Sequence, residues 1–98
     1  MNHFNDLTPA QAERLAILLE EMGEAQQAIG KILRHGYESR HPDGGQTNRE
    51  SLERELGDVH HAIQRLCVRS DLNEKNILER STVKGIKIGK YMHHDEKI

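Results

Sequence analysis

PAQAERLAILLEEMGEAQQAIGKILRH, residues 9–35, reads as one long amphipathic helix, and that reading decides the fold. Leu15, Leu18, Leu19, Met22, Gln26, Ile29 and Leu33 recur at spacings of three and four, the period of an α-helix and not of a strand. Thr8 before Pro9 is a start signal. The threonine hydroxyl accepts from the first unpaired N–H groups, and proline takes a position whose N–H would have no partner anyway. Gly36 after Arg34 and His35 is the matching stop, with basic side chains against the negative end of the helix dipole. Gly23 and Gly30 weaken this helix and let another helix come close.

Working outward, residues 36–48 form a loop. YESRHPDGGQTN, residues 37–48, concentrates Pro42, Asp43, Gly44 and Gly45, all chain-breaking residues. It is longer than an ordinary helix connection, and is either a lid over a site or slack. Thr47 or Asn48 caps a second helix from about Arg49 to Val68, with Glu50 and Glu53 favouring its first turn. Leu52, Leu56, Val59, Ile63 and Leu66 make an unbroken 4-3-4-3 seam, suited to the first helix or to a partner chain. After a turn at residues 70–73, a poorer third helix starts beyond Asn73 and ends at Val83 or Lys84. Gly85 and Gly89 leave residues 86–98 as a loose tail, and residues 1–6 as a loose start. The expected fold is all-α: a small antiparallel helical bundle, one domain over residues 1–98.

Composition narrows the class. A chain of 98 residues is one domain with a modest core. At 35% hydrophobic and 3% aromatic, without Trp, that core is thin, so association into a homo-oligomer is expected to complete it. Fourteen basic against 16 acidic residues give a net charge of −2. That balance, with no interleaving of aromatic and basic residues, argues against a nucleic-acid partner. From Lys84 onward four Lys and two His face only Asp95 and Glu96, a run read as solvated surface. His93, His94 and Asp95 echo a metal motif only superficially. The single Cys67 makes no intrachain disulfide and fits a reducing compartment, where it reads as a small core residue. No apolar run approaches the ~18–20 residues of a membrane span. The expectation is a soluble, cytoplasmic protein with no membrane partner.

The acids carry the chemistry. At 100° per residue, Glu21 and Glu24 fall about 240° and 180° from Leu15, interleaved with Ile17, Ala25 and Ala28. On the second helix Glu55 and Asp58 fall about 300° and 240° from Leu52, flanking the seam. Each helix thus presents two carboxylates three residues apart, neighbours on one face with Cβ atoms ~5–6 Å apart. If the helices pack antiparallel through their apolar stripes, the two pairs converge. Four carboxylates in a partly dry site raise one another's pKa. A hard divalent cation relieves that, and an all-oxygen set without His or Cys suits Mg²⁺ or Mn²⁺ better than Zn²⁺. The acid set lacks the Glu-x-x-His pattern of di-iron bundles, since Asp58 and not His stands three residues after Glu55.

LLEEMGEAQQAI, residues 18–29, and ELGDVHHAI, residues 55–63, resemble the MazG-like branch of the all-α nucleoside triphosphate pyrophosphohydrolases, which share an EExxE and an ExxD motif on successive helices. The resemblance covers roughly residues 13–85. It implies Mg²⁺-dependent cleavage between the α and β phosphates, releasing a nucleoside monophosphate and pyrophosphate. Position by position, it makes Glu21, Glu24, Glu55 and Asp58 the metal ligands, and gives Glu20, the leading acid of EExxE, a part in positioning metal or water. Glu20 or Glu24 would orient or deprotonate the water. The third helix of such proteins carries residues that meet phosphate or base, which implies Lys75, Asn76, Arg80 and Lys84 here. It also implies a dimer or a dimer of dimers. Thirty residues lie between Glu24 and Glu55, slightly more than is typical, and the Gly-Pro loop accounts for the excess. The rival readings are a non-catalytic dimeric helical adaptor, with dispensable solvated acids, and a regulatory nucleotide-binding protein without turnover.

Overall fold

The structure, a computed structural model, describes residues 4–94. A short 3₁₀ turn, Phe4–Asp6, leads in; residues 1–3 of the expected loose start lie outside the described range. Helix α1 spans Pro9–His35, matching the periodic segment end to end. Its cap is reciprocal: Gln11 N–H donates to Thr8 Oγ1 at 3.1 Å, and Thr8 N–H to Gln11 Oε1 at 2.9 Å. Two free donors are thereby satisfied at once. At the other end Gly36 takes φ +89°, and its N–H donates to the Ile32 carbonyl at 2.7 Å.

The loop is an internally bonded turn. Gly44 N–H donates to His41 O at 2.8 Å, and an antiparallel bridge joins Arg40 to Thr47. Asn48 and Arg49 donate backbone N–H groups to Ser39 and Tyr37, both at 2.9 Å. The Arg49 guanidinium lies 4.3 Å from the Tyr37 ring centre and bonds Glu38 at 2.8 Å. These contacts hold the end of α1 beside the start of α2, Asn48–Val68. Thr47 is the cap. Its Oγ1 accepts from Glu50 N–H, and Glu50 Oε1 accepts from Thr47 N–H at 2.9 Å. That backbone bond, with the Thr47 hydroxyl second, holds the Glu50 carboxyl below its usual range.

Beyond α2, Asp71 N–H bonds Leu66 O and Ser70 N–H bonds Cys67 O, with Ser70 at φ +64°. This is a Schellman stop with serine where glycine is usual. Arg14 then ties the turn to α1 through a two-pronged contact with Asp71, at 2.6 and 3.0 Å. Helix α3 covers Glu74–Ile88, capped by Asn73 Oδ1 on Asn76 N–H at 3.2 Å. It runs past the expected end at Val83 or Lys84 and takes up the first residues of the expected tail. A lone Gly85 costs about 1 kcal/mol in a helix, and the residues around it sustain the helix through it. A 3₁₀ turn, Gly89–Tyr91, follows. Residues 95–98, including Asp95 and Glu96 of the charged tail, lie outside the described range, while His93 and His94 are exposed. No helix among the described residues is long and apolar enough to cross a membrane.

The molecule is therefore all-α. Extensive packing is confined to α1 on α2, which run antiparallel, and α3 has only its own terminal turn as a substantial neighbour. On α1 the packed register corrects the expected one. On α1 the inner residues are Arg14, Leu18, Glu21, Ala25, Ala28 and Ile32. The leucine stripe one residue further on faces out: Leu19 is 73% exposed and Leu33 82%. On α2 the expected seam holds at Leu52, Val59, Ile63 and Leu66, only Leu56 being exposed, and Glu55 and Ala62 are drawn in beside it. Small alanines at the crossing let the backbones close up, and the longer side chains one step around are left outside. Cys67 is half-buried.

Candidate metal centre

Because the helices are antiparallel and pack in this register, the two acidic pairs face each other. One carboxylate oxygen from each of Glu21, Glu24, Glu55 and Asp58 lies within 4.8 Å of the other three. The first three residues are half-buried and Asp58 is exposed, so the cluster has a dry floor and an open side. Glu21 and Glu55 are members of the packing seam itself. Their Oε2 atoms are buried and have no hydrogen-bond partner among the described residues. Buried polar oxygens without donors are costly, and a hard cation bound by carboxylate oxygens removes that cost. The donor set and the orphaned oxygens fit such an ion.

The electrostatics agree with the geometry. Burial raises the Glu21 carboxyl above its ordinary value, with the Asp58, Glu55 and Glu20 charges adding to the rise. For Glu24 a hydrogen bond shared with Glu55 comes first, followed by the charge of Glu21 and burial.

The remaining expected site residues are placed differently. Glu20 is exposed beside the cluster and is not one of its converging members. Lys75, Asn76, Arg80 and Lys84 are all exposed on α3, and none of them lines the cavity beside the acids. Lys75 instead approaches Glu79 at 4.0 Å. Within one chain the structure does not bring these four to the carboxylates.

Residues that drew no notice in the sequence do line the site. A cavity of about 300 Å³ opens beside Glu24 and Glu55, with Lys31, Gln46, Asn48, Ser51 and Arg54 on its walls. The signal was present for Lys31, which follows Glu24 at helical spacing on one face, and for Arg54, next to Glu55. For Gln46 there was no signal, because only the closed loop carries it to the cleft. No protein-family model, curated protein or solved structure matches this chain.

Proposed function

We propose that this chain is a Mg²⁺-dependent nucleoside triphosphate pyrophosphohydrolase that releases a nucleoside monophosphate and pyrophosphate. The observation that carries the reading is the convergence of the EExxE and ExxD acids on one point, with two of their oxygens buried and unpartnered. Such oxygens are hard to reconcile with a dispensable solvated face. The motif resemblance supplies the bond that is cut.

Glu21, Glu24, Glu55 and Asp58 would hold the ion, with Mn²⁺ as a substitute. Bound there, Mg²⁺ neutralises triphosphate charge and makes water more acidic. Water adds to the α-phosphorus, the bond from that phosphorus to the bridging oxygen breaks, and pyrophosphate leaves. The proton passes to a carboxylate. Glu24 is favoured over Glu20, since it stands in the cluster.

The same reading includes a homo-oligomer. Leu15, Leu19, Met22, Ile29 and Leu33 form an outward 3-4 stripe along α1, each at least 43% exposed, and α3 lies away from its own α1 and α2. A second copy of the chain is the occupant that suits both surfaces.

The test is a panel of standard and modified nucleoside triphosphates with Mg²⁺, reading pyrophosphate against orthophosphate. Pyrophosphate release should fall at least roughly 100-fold in Glu21→Ala and in Asp58→Ala, since even residues behind metal ligands are worth 10–100-fold. Orthophosphate as the sole product rules out α–β cleavage. No turnover of any nucleotide by wild type favours the helical adaptor.

A further inference from the structure

Moving from the carboxylates toward the loop, the cleft between α1 and α2 changes sign. The cavity that begins at Glu24 and Glu55 adjoins a second one of about 500 Å³, and Lys31, Gln46, Asn48 and Ser51 line both. The second adds Arg34, His35, Arg40 and His41, and no carboxylate lines it. An acidic centre thus opens into a basic trough.

Two cations of the trough, Lys31 and Arg34, and a third, Arg54, on the wall of the adjoining cavity, are uncommitted. Among the described residues Lys31, Arg34 and Arg54 make no ion pair and no side-chain hydrogen bond. Neighbouring basic residues are engaged: Arg49 with Glu38 and Tyr37, Arg40 with the Gly45 carbonyl. Like charges gathered around a concavity repel one another unless an anion joins them. Neutral donors stand among them in Gln46, Asn48 and Ser51, and α2 starts here with its partial positive charge. Spacing matters as well. At the helical rise, Lys31 lies about 10 Å and Arg34 about 15 Å along α1 from Glu24, so both cations stand on the loop side of the acids and reach the cleft with long side chains.

We propose that this trough is a polyphosphate subsite. Lys31, Arg34 and Arg54 would take the two terminal phosphates of a triphosphate whose reacting phosphorus sits at the carboxylates. The assignment rests on the pyrophosphohydrolase reading. It moves the phosphate-binding role from α3 to the α1–α2 cleft of the same chain.

The probe is inorganic tripolyphosphate, titrated calorimetrically into the full chain with Mg²⁺ at low and moderate salt. Three proteins are compared: wild type, the triple variant Lys31→Ala/Arg34→Ala/Arg54→Ala, and the triple variant Lys75→Ala/Arg80→Ala/Lys84→Ala. All six positions are exposed, so both variants should keep wild-type helix content, checked by circular dichroism. The cleft variant should lose at least about 10-fold in affinity, the scale of one charged hydrogen bond. It should also show a shallower salt dependence, while the α3 variant stays near wild type. The proposal is overturned if wild type does not bind tripolyphosphate, if the cleft variant binds as wild type does, or if the α3 variant loses as much. Turnover of nucleotides is measured in parallel. Tripolyphosphate binding lost in the cleft variant, with no pyrophosphate formed from any nucleotide by wild type, would fell the enzymatic reading and leave the anion subsite standing.

Discussion

Glu21 is an acid in a position that packing would give to an apolar side chain. Its carboxyl is raised by burial and by the facing acids, and Glu24 is raised beside it. A raised folded-state value contributes stability that is full below the unfolded carboxyl value, about 4.3. It is lost as pH rises through the folded value. At neutral pH the metal-free protein therefore bears the cost of its own site. A divalent cation needs the ionised form and reverses the sign. Glu21→Gln should raise the Tm of metal-free protein near neutral pH and remove most of the Tm gain that Mg²⁺ gives wild type. Thermal melts with and without Mg²⁺ decide this, and a variant that melts lower without metal yet still responds to it would count against the seam-acid reading. Asp71 behaves oppositely. The Arg14 guanidinium holds its carboxyl below the usual range. Its contribution is present above about 3.9, the unfolded value, and lost as pH falls through the lowered one. Asp71→Asn should lower Tm at neutral pH and flatten the acid limb of the Tm–pH curve.

At the scale of elements, two helix ends show how local chemistry aims the site. Thr47 fixes the first turn of α2 and, through it, the phase that turns Glu55 and Asp58 toward α1. It is 7% exposed and hydrogen-bonded to Glu50 in both directions. Thr47→Ala should cost about 1 kcal/mol in urea unfolding. Ser70 ends α2 in the left-handed region, where an L side chain is strained and glycine is not. Ser70→Gly should stabilise the fold by up to about 1 kcal/mol, part of the strain relief being offset by the greater freedom of glycine in the unfolded chain. Opposite shifts in the two denaturation midpoints are the expected pattern, and a destabilised Ser70→Gly would contradict the Schellman assignment.

The whole molecule is more open than a compact 98-residue monomer. Its radius of gyration is 17.1 Å, where a compact chain of this length has about 13 Å. It exposes 8333 Å², against about 5,700 Å² for a folded monomer of its mass. The excess exceeds the ~1,200–2,000 Å² that a stable interface buries. Only Ala25, Ala28, Ala62 and Leu66 form the buried apolar core among the described residues, three of them the smallest apolar type. Leu19→Glu with Ile29→Glu keeps helix propensity and places charge on the outward stripe of α1. Sedimentation should show wild type at a multiple of the chain mass and the double variant at a smaller multiple. A wild-type monomer at micromolar concentration would sink the association.

Some of this was settled by local chemistry alone. The extent of α1, the cap at Thr8, the stop at Gly36 and the pairing of acids three residues apart follow from propensity, capping and helical period, which act within a turn or two of chain, while the choice of Thr47 over Asn48 as the second cap came from the structure. The stretch at residues 86–88 misled because a single glycine is a weak breaker whose cost its neighbours can outweigh. Register was beyond reach for a different reason. Helix α1 offers two 3-4 seams one residue apart, and the larger side chains of Leu15, Leu19 and Leu33 made the outer one look like the core. Packing chose the inner seam, where alanines admit close approach, and so drew Glu21 and Glu55 into the interior and bunched four carboxylates. The basic trough likewise exists only once the bridge between Arg40 and Thr47 has closed the loop, because it gathers Lys31, Arg34, Gln46 and Ser51 from three segments that periodicity treats separately.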